Sequence, residues 1–438
     1  MNRTALLYSA MAIVLVAVGL LQSWQLSLTI FNLCLISAIM ALGVNVQWGV
    51  AGMFNVGTMG SAALGGLAVV LVSAPPVRAA WEAGGQGVLL TATALAVTAI
   101  LATMLWRRLA ERPVARAAVV AVVVFLSLYL ARCWFGPATQ AIEAVDPAST
   151  GYLGGLGLPV VLSWPVGGLL AALVAWPIAR LTAGLRSDYL AVATLGISEI
   201  ILAVLRNEEW LSRGVKNVTG LPRPVPYEAD LQALAWVQDL AQLLGWSLRD
   251  TASVLVKLSY AAWFMAVLLV IWWALQRLAR APWGRMMRAI RDNEEAARAM
   301  GKDVARRHLQ AFVLGSAIVG IGGAMLVTLD GQFTAGAYQP LRFTFLIWVM
   351  VIIGGSGNHK GAILGGFLIW FVWVQAETAG NWLAGAGAHL FAPGNPVRLA
   401  LEQSPAQLRY VVMGLILVLV MRFAPRGLIP ENAPEPPK

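Results

Sequence analysis

Residues 281–301 read APWGRMMRAIRDNEEAARAMG and lie between two long apolar segments, 255–278 and 309–329. This is the one strongly charged helical stretch in a chain that is otherwise almost entirely apolar. Segments of roughly 20 apolar residues have the length that an α-helix needs to cross a bilayer. A charged helix held between two of them predicts a membrane protein that presents a polar helix to a soluble partner, since such a helix otherwise has little reason to be there.

The composition is that of a membrane protein. The 438 residues are 59% hydrophobic and 12% charged, whereas about a quarter of the residues of a soluble protein are charged. The formal net charge of +10 fits Lys and Arg in cytoplasmic loops, so we expect no nucleic-acid partner. Cys34 and Cys133 lie in or beside apolar segments without metal-ligand spacing, and we expect packing residues and no disulfide.

Twelve apolar segments are long enough, or nearly long enough, to span a membrane. They cover residues 5–21, 28–46, 56–73, 87–106, 117–131, 160–179, 189–205, 255–278, 309–329, 343–355, 361–376 and 408–423. Residues 22–27 offer no small-x-small cleavage site, so the first segment is expected to be an uncleaved helix. The predicted fold class is all-α, a polytopic transmembrane helical bundle of about 10–12 helices in a single domain, 1–438.

Two short apolar segments, 343–355 and 361–376, flank the sequence GGSGNHKG at 354–361. They are either two crossings joined by a tight loop or one broken helix that lines a pathway. The sequence here also echoes an earlier one, because GTMGSAALGG at 57–66 and GNHKGAILGG at 357–366 place Gly, Ala, Leu and a Gly pair at the same spacing. The echo is either an internal repeat, which transporters often contain, or chance.

Lysine and arginine predict the orientation, because they accumulate in short cytoplasmic loops. With the N-terminus inside and alternating crossings, 20 of the 31 basic residues lie inside. The loop 280–307 and both termini are then cytoplasmic, and the long connection 207–254 is external. An amphipathic helix is predicted within that connection at 229–245, on the membrane or on the outer surface of the protein.

Local signals within 281–301 define one helix. Pro282 suits its first turn and Gly301 its end, and Glu294 and Arg298 form an acid-to-base pair in the favourable direction. The apolar face comprises Trp283, Met286, Met287, Ile290 and Ala297, and the polar face Arg285, Arg288, Asp292, Glu295 and Arg298. From the residues alone two interpretations stay open, a helix lying on the inner leaflet and a docking helix for a cytoplasmic subunit.

Longer motifs resemble a known family. Residues 284–323 read GRMMRAIRDNEEAARAMGKDVARRHLQAFVLGSAIVGIGG. They resemble the cytoplasmic loop of ABC importer permeases of the branched-chain amino acid family, LivM type, in which GRxLRAIRExExAAxAMGxxVxxxKLxAFxLSAxxAGxAG recurs. Three further stretches resemble motifs of that family: YLAVATLGISEIILAVLRN at 189–207, QLRYVVMGLILVLVMRFAPRGL at 407–428 and ALGVNVQWGVAGMFNVGTMG at 41–60. The resemblance covers most of the chain.

The resemblance implies a permease subunit of an ATP-driven importer for branched-chain or related amino acids in the bacterial inner membrane. Its partners would be membrane lipid, a second homologous permease, two cytoplasmic ATPases and an external substrate-binding protein. The expected coupling residues are Trp283, Gly284, Arg285, Ile290, Glu294, Ala297 and Gly301. Urea or short-chain amides are the alternative substrates, because a related permease branch looks similar.

A substrate pathway is expected to include Asn55, Thr194 and Glu199. Asn55 replaces the Ser that is usual in the family, and Leu202 replaces the usual Arg. These departures leave the identity of the transported substrate open. Glu199 lies within an apolar segment, where an ionisable group usually faces the bundle interior or water. It is either a contact of the pathway or a structural hydrogen bond between helices.

Several kinds of chemistry are missing from the sequence. There is no GxxxxGK[ST] loop, so ATP hydrolysis would belong to separate subunits. His308, His359 and His389 are scattered, and we expect no catalytic residue, metal site or cofactor. A secondary transporter driven by an ion gradient is the rival class; it would explain the helices and Glu199 but not the charged docking helix.

Overall fold

The computed structural model describes residues 3–108, 113–148, 150–182, 184–390 and 407–431. The helices are α1 (Arg3–Leu21), α2 (Trp24–Val44), α3 (Thr58–Ser73), α4 (Arg78–Ala80), α5 (Gln86–Arg108), α6 (Pro113–Glu143), α7 (Ser163–Thr182), α8 (Ser187–Asn207), α9 (Glu209–Ser212), α10 (Glu228–Gln232), α11 (Ala235–Leu244), α12 (Leu248–Arg280), α13 (Pro282–Asp292), α14 (Glu294–Ala299), α15 (Val304–Asp330), α16 (Pro340–Gly354), α17 (His359–Leu390) and α18 (Leu408–Phe423). Two π-helical stretches, Asn45–Val50 and Trp81–Gly85, and two 3₁₀ turns, Val160–Leu162 and Ala335–Ala337, complete the helical elements. The strands β1 (Val218–Thr219) and β2 (Gln332–Phe333) pair antiparallel.

The predicted all-α polytopic bundle is confirmed, because each of the twelve apolar segments falls on a helix. Within the described ranges, nine helices are long and apolar enough to cross a membrane. The apolar helices α3 and α16 have only 16 and 15 residues. At 1.5 Å per residue they reach about 22–24 Å, less than the roughly 30 Å of a hydrocarbon core, so one end of each lies within the membrane thickness.

The centre of the bundle is formed by α2, α3, α7, α15 and α17. A Cβ on Gly65 of α3 would lie 1.9 Å from the carbonyl oxygen of Gly320 on α15, and a Cβ on Gly323 would lie 2.0 Å from the carbonyl oxygen of Ala62. There is no room for a methyl group at either position. These glycines let the α3 and α15 backbones touch, as small residues do in membrane bundles.

At the periphery, α5 and α6 form a hairpin whose helices pack mainly on each other. Most of their side chains are exposed. Cys133 on α6 is exposed while Cys34 on α2 is buried, and both are free thiols. The predicted packing role is therefore confirmed for Cys34 and wrong for Cys133.

An antiparallel hairpin of α16 and α17 decides between the two interpretations of GGSGNHKG. A Cβ on Gly354 would lie 2.1 Å from the carbonyl oxygen of Gly361 across the hairpin. The turn contains Gly355 at φ +119° and Gly357 at φ +82°, conformations that glycine adopts without steric cost. The region is a tight loop between two helices and not one broken helix, whereas the internal repeat stays a prediction.

One end of the bundle, the loop end (residues 207–247 and 331–339), is ordered by the β1–β2 pair and by packing of α10 and α11 on α12. The single amphipathic helix predicted over 229–245 is wrong, because the chain bends between α10 and α11. In a continuous helix Leu231 and Val237 would point about 120° apart. The bend allows both side chains to be buried.

Candidate functional site

The charged stretch forms two helices, α13 and α14, at the opposite, basic end of the bundle (residues 280–307, 354–360 and 424–431). The continuous helix predicted over 281–301 is wrong, because Asn293 breaks it with φ −155° and ψ 98°. The Asn293 Oδ1 accepts the N–H of Ala296 at 2.9 Å and so begins α14. Asn favours such helix starts because its side chain bonds nearby backbone groups.

The apolar face of α13 packs against the protein's own core. Met287 and Ile290 are 0% and 2% exposed, and the indole N–H of Trp283 donates to Oε1 of Gln310 at 3.1 Å. Among the seven predicted coupling residues, Gly284 and Ile290 are buried, Trp283 and Ala297 are half-buried, and Arg285, Glu294 and Gly301 are exposed. The surface left open to a soluble partner is therefore the polar face.

Two predicted details of this loop are confirmed. Oε1 of Glu294 and Nη2 of Arg298 lie 2.6 Å apart, as the acid-to-base spacing predicts. Gly301 follows the end of α14 in the left-handed conformation, at φ +74°. Because both members of the ion pair are exposed, the pair adds little stability and leaves charges of both signs on the surface.

Arg291 links α13 to the rest of the bundle. Its guanidinium donates to the backbone carbonyl of Gly49 and lies 2.9 Å from Oε2 of Glu431 and 3.1 Å from Oδ1 of Asp292. Burial lowers the pKa of Arg291, but the two carboxylates outweigh this effect and the net shift is upward. The guanidinium therefore stays charged, and its contact with Gly49 connects α13 to the chain that follows α2.

That chain does not pass directly from α2 into α3. The π-helical stretch Asn45–Val50 is followed by irregular backbone at 51–57. Oδ1 of Asn45 accepts the N–H of Gly357 at 2.8 Å, and Nδ2 of Asn45 lies 3.0 Å from Nδ1 of His359. The break after α2 and the α16–α17 turn are thus joined to each other, and Arg291 contacts the first of them.

Buried polar side chains satisfy the irregular backbone at 51–57. Backbone groups inside a membrane need protein partners, because no water is present to bond them. Oγ1 of Thr194 accepts the N–H of Val56 at 3.1 Å, and Oδ1 of Asn55 accepts the backbone N–H two residues later at 2.9 Å. The indole of Trp348 donates to the carbonyl of Asn55 at 3.1 Å. Asn55 and Thr194 are each 2% exposed.

The structure brings two of the three predicted pathway residues together. Asn55 and Thr194 line the same small cavity of about 20 Å³, and Nδ2 of Asn55 also donates to Oε1 of Gln47 at 2.9 Å. Glu199 does not join them. It lies on the exposed face of α8, whereas the neighbouring Ser198 is buried and accepts the N–H of Gly60 at 2.9 Å.

A larger cavity of about 370 Å³ lies between α2, α3, α15, α16 and α17 and reaches the loop end. Its lining includes the apolar side chains of Met40, Met59, Ile347, Met350 and Trp370 and the polar groups of Asp330, Gln332 and Tyr338. Burial raises the pKa of Tyr338, so its hydroxyl stays protonated. Sequence reasoning missed this cavity because its residues come from distant parts of the chain and share no local motif.

Comparison with known sequences identifies the family. The family model described as "branched-chain amino acid transport system / permease component" matches residues 144–421. The chain belongs to this family. The matched region includes α13, α14 and Arg291. It also includes α15, α16 and α17, which line the larger cavity, whereas α1 to α6 precede the matched region.

Named relatives confirm the predicted LivM-type resemblance. The chain is 28% identical over 178 residues to a probable branched-chain amino acid transport permease protein LivM of Methanocaldococcus jannaschii, covering 40% of this chain and 48% of that protein. It is 27% identical over 304 residues to the high-affinity branched-chain amino acid transport system permease protein LivM of Escherichia coli, covering 67% of this chain and 63% of that protein. The chain thus spans less than two thirds of the length of these relatives. No solved structure matches it.

Proposed function

We propose that this chain is the permease subunit of an ATP-driven importer that moves branched-chain amino acids across the bacterial inner membrane. One observation carries the proposal: the charged face of α13 and α14 is open to solution, and Arg291 connects α13 to the π-helical stretch and irregular backbone that follow α2. A soluble subunit that binds this surface can move it. Because the surface is joined to irregular backbone within the bundle, that movement can rearrange the helices inside the membrane. The relatives' names, which describe branched-chain amino acid transport permeases, support the substrate class.

The chain would supply the walls of a pathway and the docking surface, and no covalent chemistry. On the cytoplasmic side, an ATPase would contact the exposed charges Arg285, Asp292, Glu295 and Arg298. ATP-driven movement of α13 would then shift Arg291 against Gly49. Because Asn45 joins the break after α2 to the α16–α17 turn, both irregular segments would move together.

A second, homologous permease would cover the exposed face of α8. Glu199 lies in this 21-residue helix and is exposed on the isolated chain. A carboxylate in contact with lipid tails is costly, so such residues usually face protein or water. Val192 and Ile200, which are 72% and 64% exposed, would add apolar contact. Glu199 would then lie at the junction between the two permeases.

An external binding protein would deliver the substrate at the loop end. The lining of the 370 Å³ cavity favours a branched-chain amino acid as that substrate. The apolar lining suits an aliphatic side chain, and the carboxylate of Asp330 can pair with an ammonium group. Urea and short-chain amides lack the ammonium charge and most of the aliphatic surface. The cavity therefore favours the amino acid over these alternatives.

Reconstitution tests the proposal. The permease, its partner permease and the ATPases are placed in proteoliposomes with the binding protein, and uptake of radiolabelled leucine and urea is measured with and without ATP. We expect leucine uptake that needs ATP and survives an ionophore. Uptake that continues without ATPases and collapses with the ionophore, or uptake of urea alone, would contradict the proposal.

The Arg291 link gives a sharper test of coupling. Arg291→Gln removes the charge that holds Glu431 and replaces the guanidinium that reaches Gly49 with a shorter amide, whereas Arg306→Gln removes an exposed charge from the same loop. We expect Arg291→Gln to retain bound ATPases but to lower ATP-driven uptake at least tenfold, about 1.4 kcal/mol of coupling, while Arg306→Gln behaves as wild type. Equal uptake by the two variants would show that force does not pass through Arg291.

A further inference from the structure

Two further cavities lie side by side, one between α12, α13 and the α16–α17 turn and the other between α1, α2, α12 and α17. The first, of about 670 Å³, is at the basic end and has polar and basic walls, and we call it the head pocket. The second, of about 660 Å³, runs along α1 with apolar walls, and we call it the α1 groove. Thr4, Trp272 and Lys360 line both cavities. The two cavities therefore adjoin, so that a charged pocket lies directly beside an apolar groove.

The head pocket is strongly cationic. Its charged lining residues are Arg277, Arg280, Arg288, Lys360 and Glu431. The carboxylate of Glu431 is already engaged by Arg291 at 2.9 Å, and Arg288 lies 3.8 Å from it. Within the part of the chain that the structure describes, Arg277, Arg280 and Lys360 have no salt-bridge partner. Three cationic side chains without a counter-ion favour binding of an anion.

Trp272 lies where the head pocket meets the α1 groove. The neighbouring Trp273 stacks with Arg277, whose guanidinium lies 5.2 Å from the ring centroid. The side chain of Trp272 lines both cavities, and Trp rings favour the headgroup level of a bilayer, where the phosphate of a phospholipid lies.

The α1 groove has the depth of one membrane leaflet. It follows α1 from Thr4 to Val16, about 12 residues or roughly 18 Å, and half of a hydrocarbon core is roughly 15 Å. Leu269 in its wall is 52% exposed, so the groove opens sideways to the bilayer. The hydroxyl of Tyr8 donates to the carbonyl of Lys360 at 2.8 Å and holds α1 beside α17.

We propose that the head pocket and the α1 groove together bind one anionic phospholipid, with its phosphate on Arg277, Arg280 and Lys360 and an acyl chain along α1. Basic pockets between transmembrane helices are suited to anionic headgroups. The apolar groove directly beside the pocket favours a lipid over a soluble phosphate. The site also touches Arg288 of α13 and Glu431, so a bound lipid lies next to the Arg291 link. Lipid binding at this site is independent of the transported substrate and of the ATPases.

Native mass spectrometry of the delipidated, full-length permease tests this assignment. Phosphatidylglycerol, phosphatidylcholine with the same acyl chains, and glycerol 3-phosphate are titrated separately. We expect phosphatidylglycerol to bind at least ten times more tightly than phosphatidylcholine, and glycerol 3-phosphate not to bind. A basic residue near a membrane surface contributes about fivefold to anionic-lipid binding, so Arg277→Gln, Arg280→Gln and Lys360→Gln together should weaken phosphatidylglycerol binding about 100-fold.

Matched variants separate this site from general surface charge. The control triple Arg298→Gln, Lys302→Gln and Arg306→Gln removes the same charge from exposed positions of the basic end, and we expect less than a threefold effect, roughly what screened distant charges contribute. Met265→Trp fills the α1 groove without changing charge and should also weaken binding. Equal affinity for the two lipids, an equal loss in both triple variants, or tight binding of glycerol 3-phosphate would each overturn the lipid site.

Discussion

At the scale of single residues, buried polar side chains in this bundle serve backbone groups that a regular helix would satisfy by itself. The motif around residues 41–60 draws attention to Asn55 from the sequence, but a motif gives the residue type and not its partners. The structure places Asn55 against Gln47, Trp348 and its own turn. Its part in a substrate pathway stays a prediction, whereas its hydrogen bonds define a structural role that can be measured.

Removal of the Asn55 amide should therefore lower stability. Asn55→Ala leaves Oε1 of Gln47 and the N–H of Gly57 without partners, and an unsatisfied buried group costs about 1–3 kcal/mol. Asn55→Ser, which introduces the residue usual in the family, retains a hydroxyl that can accept the Gly57 N–H and should cost less. Thermal unfolding in detergent checks the order wild type, Ser, Ala; an unchanged unfolding temperature for Asn55→Ala would remove the structural role.

Glu199 should behave in the opposite way. It is exposed on the isolated chain, so neither Glu199→Gln nor Glu199→Leu should change the free energy of unfolding of the single subunit by more than about 0.5 kcal/mol. If a second permease covers this face, Glu199→Leu should reduce its co-purification while Glu199→Gln, which retains hydrogen bonding, should not. Normal pairing and normal uptake by Glu199→Leu would place the partner permease on another face.

At the scale of elements, the helices were predictable and their interruptions were not. A bilayer requires long apolar helices, so hydropathy alone locates the membrane segments. The break between α10 and α11 falls inside unbroken helical periodicity, because it allows both Leu231 and Val237 to be buried. The break at Asn293 is local, since the Asn293 side chain begins α14. The π-helical stretch Asn45–Val50 instead has a distant partner, since Asn45 bonds the α16–α17 turn more than 300 residues away in sequence.

The proposed docking surface on α13 and α14 predicts different effects at adjacent positions. Ala296 is exposed and Ala297 is half-buried against the core. Ala296→Glu should hardly change the free energy of unfolding of the isolated permease. Beneath a docked ATPase, however, the substitution would bury an unpaired charge, which would weaken ATPase binding by several kcal/mol. Ala296→Glu should therefore abolish co-purification of the ATPases without a change in unfolding temperature. Ala297→Glu should abolish co-purification and also lower the unfolding temperature.

The control for this pair is Ala233→Glu, which adds the same charge to an exposed position at the loop end. It should retain the ATPases and the wild-type unfolding temperature. If Ala296→Glu also retains stoichiometric ATPases and normal uptake, α14 is not part of the docking surface, and an inner-leaflet position for the charged helices becomes the better interpretation.

At the scale of the whole molecule, the sequence locates the apolar helices better than it predicts what each helix touches. Twelve apolar segments could be located one by one. The 370 Å³ cavity, the head pocket and the α1 groove each combine helices that are far apart in the chain. Close glycine contacts between α3 and α15 decide which helices lie at the centre. Such contacts depend on both partners at once, so neither helix's sequence reveals them alone.

Sidedness is the remaining whole-molecule property, and α12 makes it testable. This helix has 33 residues, about 50 Å at 1.5 Å per residue, and must cross the roughly 30 Å hydrocarbon core. Val215 is 67% exposed at the loop end and Glu295 is exposed at the basic end, so a single crossing separates them. The excess of Lys and Arg near Glu295 predicts that this side faces the cytoplasm.

Single cysteines at these two positions check the orientation, in a background that lacks Cys34 and the exposed Cys133. In intact spheroplasts, an impermeant thiol reagent should label Val215→Cys at once and Glu295→Cys only after permeabilisation. Labelling of both from outside would mean that α12 does not cross. The reverse pattern would mean that the charge excess marks the outer side, and it would remove the cytoplasmic ATPases from α13 and α14.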